Sequence, residues 1–134
     1  MTPAAAFAAA AQSLVGCRFR LHGRDPDTGL DCVGVLAEAL RRAGRPGVLP
    51  VDYNLRTRDV ARAYDIAPQL GFAPTTGPTR LGDVALIQVG PCQHHFAVAC
   101  DGGTFVHAHA GLRRVVHSPV LPTGTVVGQW RLSV

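Results

Sequence analysis

The chain has 134 residues, a length that fits one domain over residues 1–134 and that can bury a hydrophobic core without metal or disulfide cross-links. Apolar residues make up 47% of the sequence and charged residues 16%, with a net charge of +4. No apolar run is long enough to span a bilayer, and the scattered Arg residues form no basic run with interleaved aromatic residues. The composition therefore predicts a globular domain with no membrane span and no nucleic-acid partner.

The alanine-rich start predicts a first helix over residues 3–15, with Thr2 as its N-cap and Pro3 at its first position. A secretion signal begins with a positively charged segment, and no Arg or Lys precedes Arg18. We therefore expect synthesis in the cytoplasm without a signal peptide.

A second helix is predicted over residues 32–43, where apolar residues recur at helical spacing and Gly44 follows the last turn. A third helix is predicted over residues 57–70, capped by Thr57 or Asp59. The second half of the chain predicts short strands divided by Gly and Pro turns, at residues 84–89, 95–100, 104–108, 113–117 and 126–132. Helices followed by strands predict an α+β fold with the helices packed on an antiparallel sheet.

No two of the four cysteines have the two-residue spacing of a zinc or redox motif. Each is therefore considered separately, as either a buried packing residue or a nucleophile. The four are Cys17, Cys32, Cys92 and Cys100. Cys32 opens the second helix, where unpaired N–H groups and the helix dipole favour a thiolate. A lowered pKa and a nucleophilic role are therefore predicted for Cys32. The alternative is a small apolar residue on the inner face of the helix.

Two histidines are predicted to meet across a hairpin. If the turn is centred on Asp101, His95 and His107 lie opposite each other on one face of the sheet. One imidazole can then orient the other as the base of a Cys–His–His triad with Cys32. A zinc site of His95, His107 and His109 is the alternative, but it leaves Cys32 without a role and has no carboxylate support. No metal and no cofactor are predicted.

Five motifs, in order, resemble those of the NlpC/p60 family of cell-wall cysteine peptidases. They are residues 16–23 (GCRFRLHG), 30–35 (LDCVGV), 81–84 (LGDV), 95–98 (HFAV) and 103–108 (GTFVHA). The family pattern has Asp-Cys-Ser-Gly-Leu at the start of a helix, and His-Val-Gly-Ile and Phe-Ile-His-Ala in strands. The resemblance extends from about residue 10 to residue 132, nearly the whole chain.

This resemblance implies a papain-like α+β domain with N-terminal helices on a small antiparallel sheet. It implies that Cys32 is the nucleophile, His95 the general base and His107 the residue that orients it. The implied reaction is amide hydrolysis through a thioester, in the peptide stem of peptidoglycan at the bond after γ-D-glutamate. The positions implied for substrate binding are Asp31, Phe19 and Val33.

Two residues depart from the family pattern. Phe19 replaces the usual Tyr, and Val33 replaces the usual Ser after the nucleophile. Each replacement removes a hydrogen-bonding group, and such groups strongly control which substrates a site accepts. We therefore expect this site to bind a different end of the ligand from the one that the family usually binds. An apolar residue after the Cys also resembles the prophage and gene-transfer-particle branch, which implies phage-like tail proteins as partners.

Two other functions remain open on the sequence alone. The same thiol chemistry could act on another acyl substrate, as an amidase or a lipid-directed acyltransferase, which Phe19 and Val33 favour. A tail-assembly module without turnover is the third hypothesis. The presence of Cys32, His95 and His107 together argues against it.

Overall fold

The computed structural model describes residues 1–45, 60–91 and 93–132. Helix α1, Pro3–Gln12, begins where the sequence predicts, since the Thr2 hydroxyl oxygen accepts a hydrogen bond from the Ala5 N–H at 3.1 Å. It ends three residues earlier than predicted. The chain turns there, and the Gly16 N–H donates to the Val115 carbonyl at 2.9 Å, so pairing with the sheet replaces the last helical turn.

Helix α2, Cys32–Arg42, follows a short hairpin whose two strands have two residues each. They are β1, Arg24–Asp25, and β2, Gly29–Leu30. The hairpin is not predicted, because two-residue strands show no hydrophobic alternation. Asp31 caps α2 by accepting from the Gly34 N–H at 2.8 Å. The helix start lies against the preceding loop: a Cβ at Gly34 would come within 2.1 Å of the Gly23 carbonyl oxygen.

Part of the predicted third helix is observed. Helix α3, Val60–Ile66, continues into a 3₁₀ turn, Ala67–Leu70, which ends at Gly71 in the left-handed region with φ 88°. The predicted caps Thr57 and Asp59 lie outside the described residues.

The strands form a six-stranded antiparallel sheet in the order β3-β8-β4-β5-β6-β7. They are β3, Phe72–Pro74; β4, Val84–Gly90; β5, Gln93–Ala99; β6, Phe105–His109; β7, Arg114–Ser118; and β8, Thr125–Leu132. Five of these strands match predicted ones to within two residues at each end, and β3 is not predicted. The α+β class, with N-terminal helices on an antiparallel sheet, is confirmed.

The helices pack on the sheet through one large cluster of buried apolar side chains, which includes Phe7, Leu14, Val33, Leu40, Leu86, Val98 and Val106. The apolar face of α2 therefore lies against the sheet, which positions its first residue beside β5 and β6. Among the described residues, no helix is long and apolar enough to cross a bilayer.

The hairpin of β5 and β6 has a different register from the predicted one. Its pairs are Val98 with Val106 and Ala99 with Phe105, which centres the loop on Gly102. Gly102 and its neighbour Gly103 both have φ 72°, so the turn lies one residue later than assumed. A shift of the turn centre by one residue moves the pairing by two positions. Each side chain therefore stays on the predicted face of the sheet. His95 and His107 are diagonal neighbours and not directly opposite each other.

A connecting segment, residues 16–20, runs between β2 and the outer edge of β7. The Leu30 N–H donates to the Arg18 carbonyl at 2.8 Å, and the Phe19 N–H donates to the Arg113 carbonyl at 2.9 Å. Backbone hydrogen bonds thus join the chain just before α2 to the chain just before β7.

A buried ion pair joins the start of β4 to β8. Asp83 is 0% exposed, and its two carboxylate oxygens accept from the Arg131 guanidinium in a bidentate pair, each at 2.9 Å. The Arg80 N–H also donates to Asp83, at 2.9 Å. These bonds satisfy a carboxylate that would otherwise be strongly disfavoured in the interior.

Candidate active site

A cleft of about 900 Å³ opens between the start of α2, strands β5 and β6, and the chain after β7. Cys32, His95 and His107, predicted to act together, all line it. Five of the six histidines of the chain line this cleft: His22, His94, His95, His107 and His109. The fold thus brings the three predicted catalytic side chains to one surface.

The Cys32 thiol is protonated in the resting site. Burial raises the pKa of Cys32 to about 12, and the negative charge of Asp31 acts in the same direction. Backbone N–H groups of Phe96 and Val33 lower this pKa, but they do not offset the loss of water. The lowered pKa predicted from the helix start is therefore wrong. A nucleophilic role for Cys32 requires a base that removes the proton.

His95 and His107 are in direct contact. His95 Nε2 lies 3.0 Å from His107 Nδ1, with the two rings nearly perpendicular at 85°. Because this bond uses Nε2 of His95, its Nδ1 atom is the ring nitrogen outside the contact with His107. Burial, with smaller effects of His107 and His109, lowers the pKa of His95 to about 4. His95 is therefore a neutral imidazole near neutral pH.

A fourth side chain, not predicted from the sequence, extends this contact. His107 Nε2 lies 3.1 Å from the Ser118 hydroxyl oxygen, and Ser118 also lines the cleft. Ser118 belongs to β7, where it pairs with Phe105 of β6. Only the register of β6 and β7 brings it to His107, and no local sequence signal marks it.

Asp31 is held by the protein itself. Its Oδ1 accepts from Arg24 Nη1 and from the Gly34 N–H, both at 2.8 Å, and its Oδ2 accepts from the His22 N–H at 2.9 Å. These bonds link the loop before α2 to the first turn of the helix and so fix Cys32 in place. The predicted role of Asp31 in substrate binding stays a prediction.

The two residues that depart from the family pattern line different cavities. Phe19 is partly buried and lines the cleft. Val33 is 1% exposed and lines a separate apolar pocket with Leu36 and Trp130. Among the described residues, those lining the cleft do not include Val33, so its predicted role in substrate binding has no direct contact to support it.

A comparison with protein-family models and with curated proteins finds no match to the sequence. Solved structures do match the fold. NlpC2 from Trichomonas vaginalis superposes with a TM-score of 0.70 at 17% identity, over 96% of this chain and 48% of that one. The NlpC/p60 domain of the peptidoglycan hydrolase SagA gives a TM-score of 0.59 at 21% identity, over 98% of both chains.

A third match is RipD from Mycobacterium tuberculosis, described as a non-catalytic NlpC/p60 domain protein adapted to peptidoglycan binding. Its TM-score is 0.66 at 19% identity, over 99% of both chains. The chain has the NlpC/p60 fold. It spans about half the length of the Trichomonas chain that it matches. Because one NlpC/p60 neighbour is non-catalytic, the fold alone does not establish turnover.

The alternative zinc site has no support in this NlpC/p60 fold. Within residues 1–45, 60–91 and 93–132, no group of three or more His, Cys, Asp or Glu side chains is arranged to hold a metal ion. His109 instead accepts a hydrogen bond at Nδ1 from the Leu112 N–H, at 3.0 Å.

Lowering the pH from 6.5 to 4 should reduce the free energy of unfolding by about 3 kcal/mol through the partly buried His95 of this NlpC/p60 fold. Its pKa in the folded chain is about 4, below the ordinary 6.5. In this range the unfolded chain binds a proton that the folded chain does not, so stability falls as the pH falls. Denaturant unfolding from pH 7 to pH 4 measures the effect. His95→Gln should lose this part of the pH dependence, and equal slopes for both proteins would contradict a neutral His95.

Proposed function

We propose that the chain is a cysteine peptidase that hydrolyses amide bonds in the peptide stem of peptidoglycan, at the γ-D-glutamyl-diamino acid bond. The observation that carries the proposal is the meeting of Cys32, His95 and His107 at one cleft in an NlpC/p60 fold. SagA, which has the same fold, is described as a peptidoglycan hydrolase.

In the proposed mechanism, His95 Nδ1 takes the Cys32 proton while the sulfur attacks the substrate carbonyl carbon. Backbone N–H groups at the start of α2 face the sulfur and are suited to stabilise the developing oxyanion. His95 then donates its proton to the leaving amine, and a water molecule hydrolyses the thioester with His95 again as the base. His107 accepts the Nε2–H of His95 throughout and stabilises the imidazolium.

A neutral thiol and a neutral imidazole suit this general-base route. With the pKa of Cys32 raised to about 12 and that of His95 lowered to about 4, no thiolate–imidazolium pair exists at rest. Nucleophile and positive charge form together during attack, where the oxyanion donors and His107 stabilise them. The proposed site therefore stabilises the transition state more than the resting state.

The proposed setting is a phage-like tail particle that delivers the enzyme to the cell wall. The apolar Val33 after the nucleophile supports this branch through the sequence resemblance. Fractionation of phage-like particles from the source cells tests it. Detection of the chain in the tail fraction would support this setting, and its absence from purified particles would exclude it.

A second candidate is a thiol-dependent amidase or acyltransferase on an apolar acyl substrate. Exposed apolar side chains, including Leu21, Val89 and Val120, line the cleft. Among the described lining residues there is no Arg, and the one carboxylate, Asp31, is bound by the protein. A cleft of this composition favours neutral or apolar groups beside the scissile bond. An idle module is the third candidate, since RipD shows that this fold occurs without catalysis.

The experiment that tests the proposal measures new amino groups released from purified peptidoglycan with different stem types, with product masses from mass spectrometry. Protein fully alkylated at its thiols provides the background. We expect release from at least one preparation, with products cut after D-glutamate and a transient mass addition on Cys32. Release only from neutral N-acyl amides would favour the second candidate. If neither substrate class is hydrolysed, the third candidate, a module without catalysis, is favoured.

A further inference from the structure

Three hydrogen-bonded side chains cross three neighbouring strands, one on each. His95 on β5 contacts His107 on β6 at 3.0 Å, and His107 contacts Ser118 on β7 at 3.1 Å. We propose that Ser118 is a positioning residue that holds His107 in the tautomer which leaves Nδ1 of His95 free to accept the Cys32 proton. The inference rests on the proposed function for its catalytic consequence, but the tautomer can be measured without any substrate.

The tautomers of the two histidines are linked. A neutral imidazole carries one N–H, so the contact between His95 Nε2 and His107 Nδ1 has one donor and one acceptor. If His95 donates, its Nδ1 is bare and can act as a base. His107 then accepts at Nδ1 and must carry its own proton on Nε2. If His107 donates instead, the proton of His95 lies on Nδ1 and the base is blocked.

Ser118 supplies the partner that the productive tautomer needs. His107 is 4% exposed, so an Nε2–H without an acceptor would be buried and unsatisfied. The Ser118 hydroxyl oxygen lies where it can accept that proton. The same acceptor is required after His95 has taken the thiol proton, because His107 still carries its Nε2–H. The hydroxyl can also donate to a bare Nε2, but without it the unproductive tautomer loses only a donor, whereas the productive tautomer and the charged state would keep a buried N–H with no acceptor. Ser118 therefore favours both states that catalysis uses, relative to a site without the hydroxyl.

Loss of the hydroxyl should lower kcat with little change in KM, because Ser118 acts through the base and not through substrate contacts. For Ser118→Ala we expect a decrease of roughly 10- to 100-fold in kcat. Ser118→Thr keeps the hydroxyl and should restore most of the rate. Ser118→Asp supplies an acceptor that cannot donate at neutral pH, so it should keep the productive tautomer and move the acid limb of the pH profile upward.

A matched control lies nearby, with His117 on β7 and Thr104 just before β6. His117 Nε2 lies 2.6 Å from the Thr104 hydroxyl oxygen, a second histidine–hydroxyl bond one residue away in the β7 sequence. Thr104 and His117 are not among the described residues that line the cleft. Thr104→Val should leave kcat and the tautomers of His95 and His107 unchanged.

Nitrogen-15 NMR of the labelled full chain, with the histidines assigned through single His→Gln variants, reads the tautomers directly. We expect Nε2–H on both His95 and His107 in the wild type and a gain of Nδ1–H on His107 in Ser118→Ala. Nδ1–H on His107 in the wild type, or tautomers unchanged by Ser118→Ala, would overturn the proposal. If the tautomers change as expected but no wall substrate is cut, the positioning role stands and the proposed function fails.

Discussion

Replacing Cys32 by Ala is expected to lower the rate of stem-peptide hydrolysis by about 10⁴-fold or more, to the level of the alkylated protein. The substitution removes the sulfur that forms the thioester in the proposed mechanism, and no other described thiol lines the cleft. Amino-group release from a soluble stem peptide, measured over hours at high enzyme concentration, gives the residual rate. Unfolding curves of variant and wild type show whether the fold is intact.

Cys100 provides the matched control for this substitution. It is also buried, 4% exposed, and burial likewise raises its pKa, to about 11. It directly follows β5 and is not among the described residues that line the cleft. Cys100→Ala should therefore keep the wild-type rate despite some loss of stability. Equal losses of rate in the two variants would show that the assay reports folding rather than thiol chemistry.

Asp83→Ala is expected to lower the free energy of unfolding by about 3–5 kcal/mol. The variant leaves the Arg131 guanidinium, 29% exposed, without its bidentate partner and the Arg80 N–H without its acceptor. It also leaves a space where a fully buried side chain was. Urea unfolding at pH 7, followed by circular dichroism, measures the change.

A double-mutant cycle with Arg131 separates the ion pair from the cavity. The double variant Asp83→Ala/Arg131→Ala should lose less free energy of unfolding than the two single variants lose in sum. The second substitution removes a charge that already lacks a partner. Additive costs would show that the pair contributes little and that packing dominates. Below its transition, the folded fraction of Asp83→Ala should keep its rate, since Asp83 does not line the cleft.

Structural features that depend on residues close together in the sequence could be predicted. The Thr2 cap and the first residues of α1 and α2 follow from local hydrogen bonds and helical spacing, and the structure has them at those residues. The contact of His95 with His107 was also predicted, although from a register that is wrong. The contact is nevertheless present because the observed pairing differs by two positions, which keeps both side chains on the same face of the sheet.

Features that depend on tertiary packing could not be predicted. The raised pKa of Cys32 results from burial under neighbouring strands, which no position in the sequence reveals, while the local helix start points in the opposite direction. Ser118 reaches His107 only through the pairing of β6 with β7. A role in substrate binding is predicted for Val33 because it follows Cys32 in the sequence, but the residue after Cys32 points into the core.

The connecting segment, residues 16–20, has a consequence for how much sequence change the site can tolerate. Its main-chain bonds to Leu30 and Arg113 hold the two sides of the cleft at a separation determined by peptide geometry. These bonds do not depend on core side chains, so we expect core exchanges of similar volume to disturb the site less than changes to the backbone of this segment. Redesign of the substrate specificity can start from the outer wall of the cleft, where Leu21 and Val120 are exposed, with the reacting groups left in register.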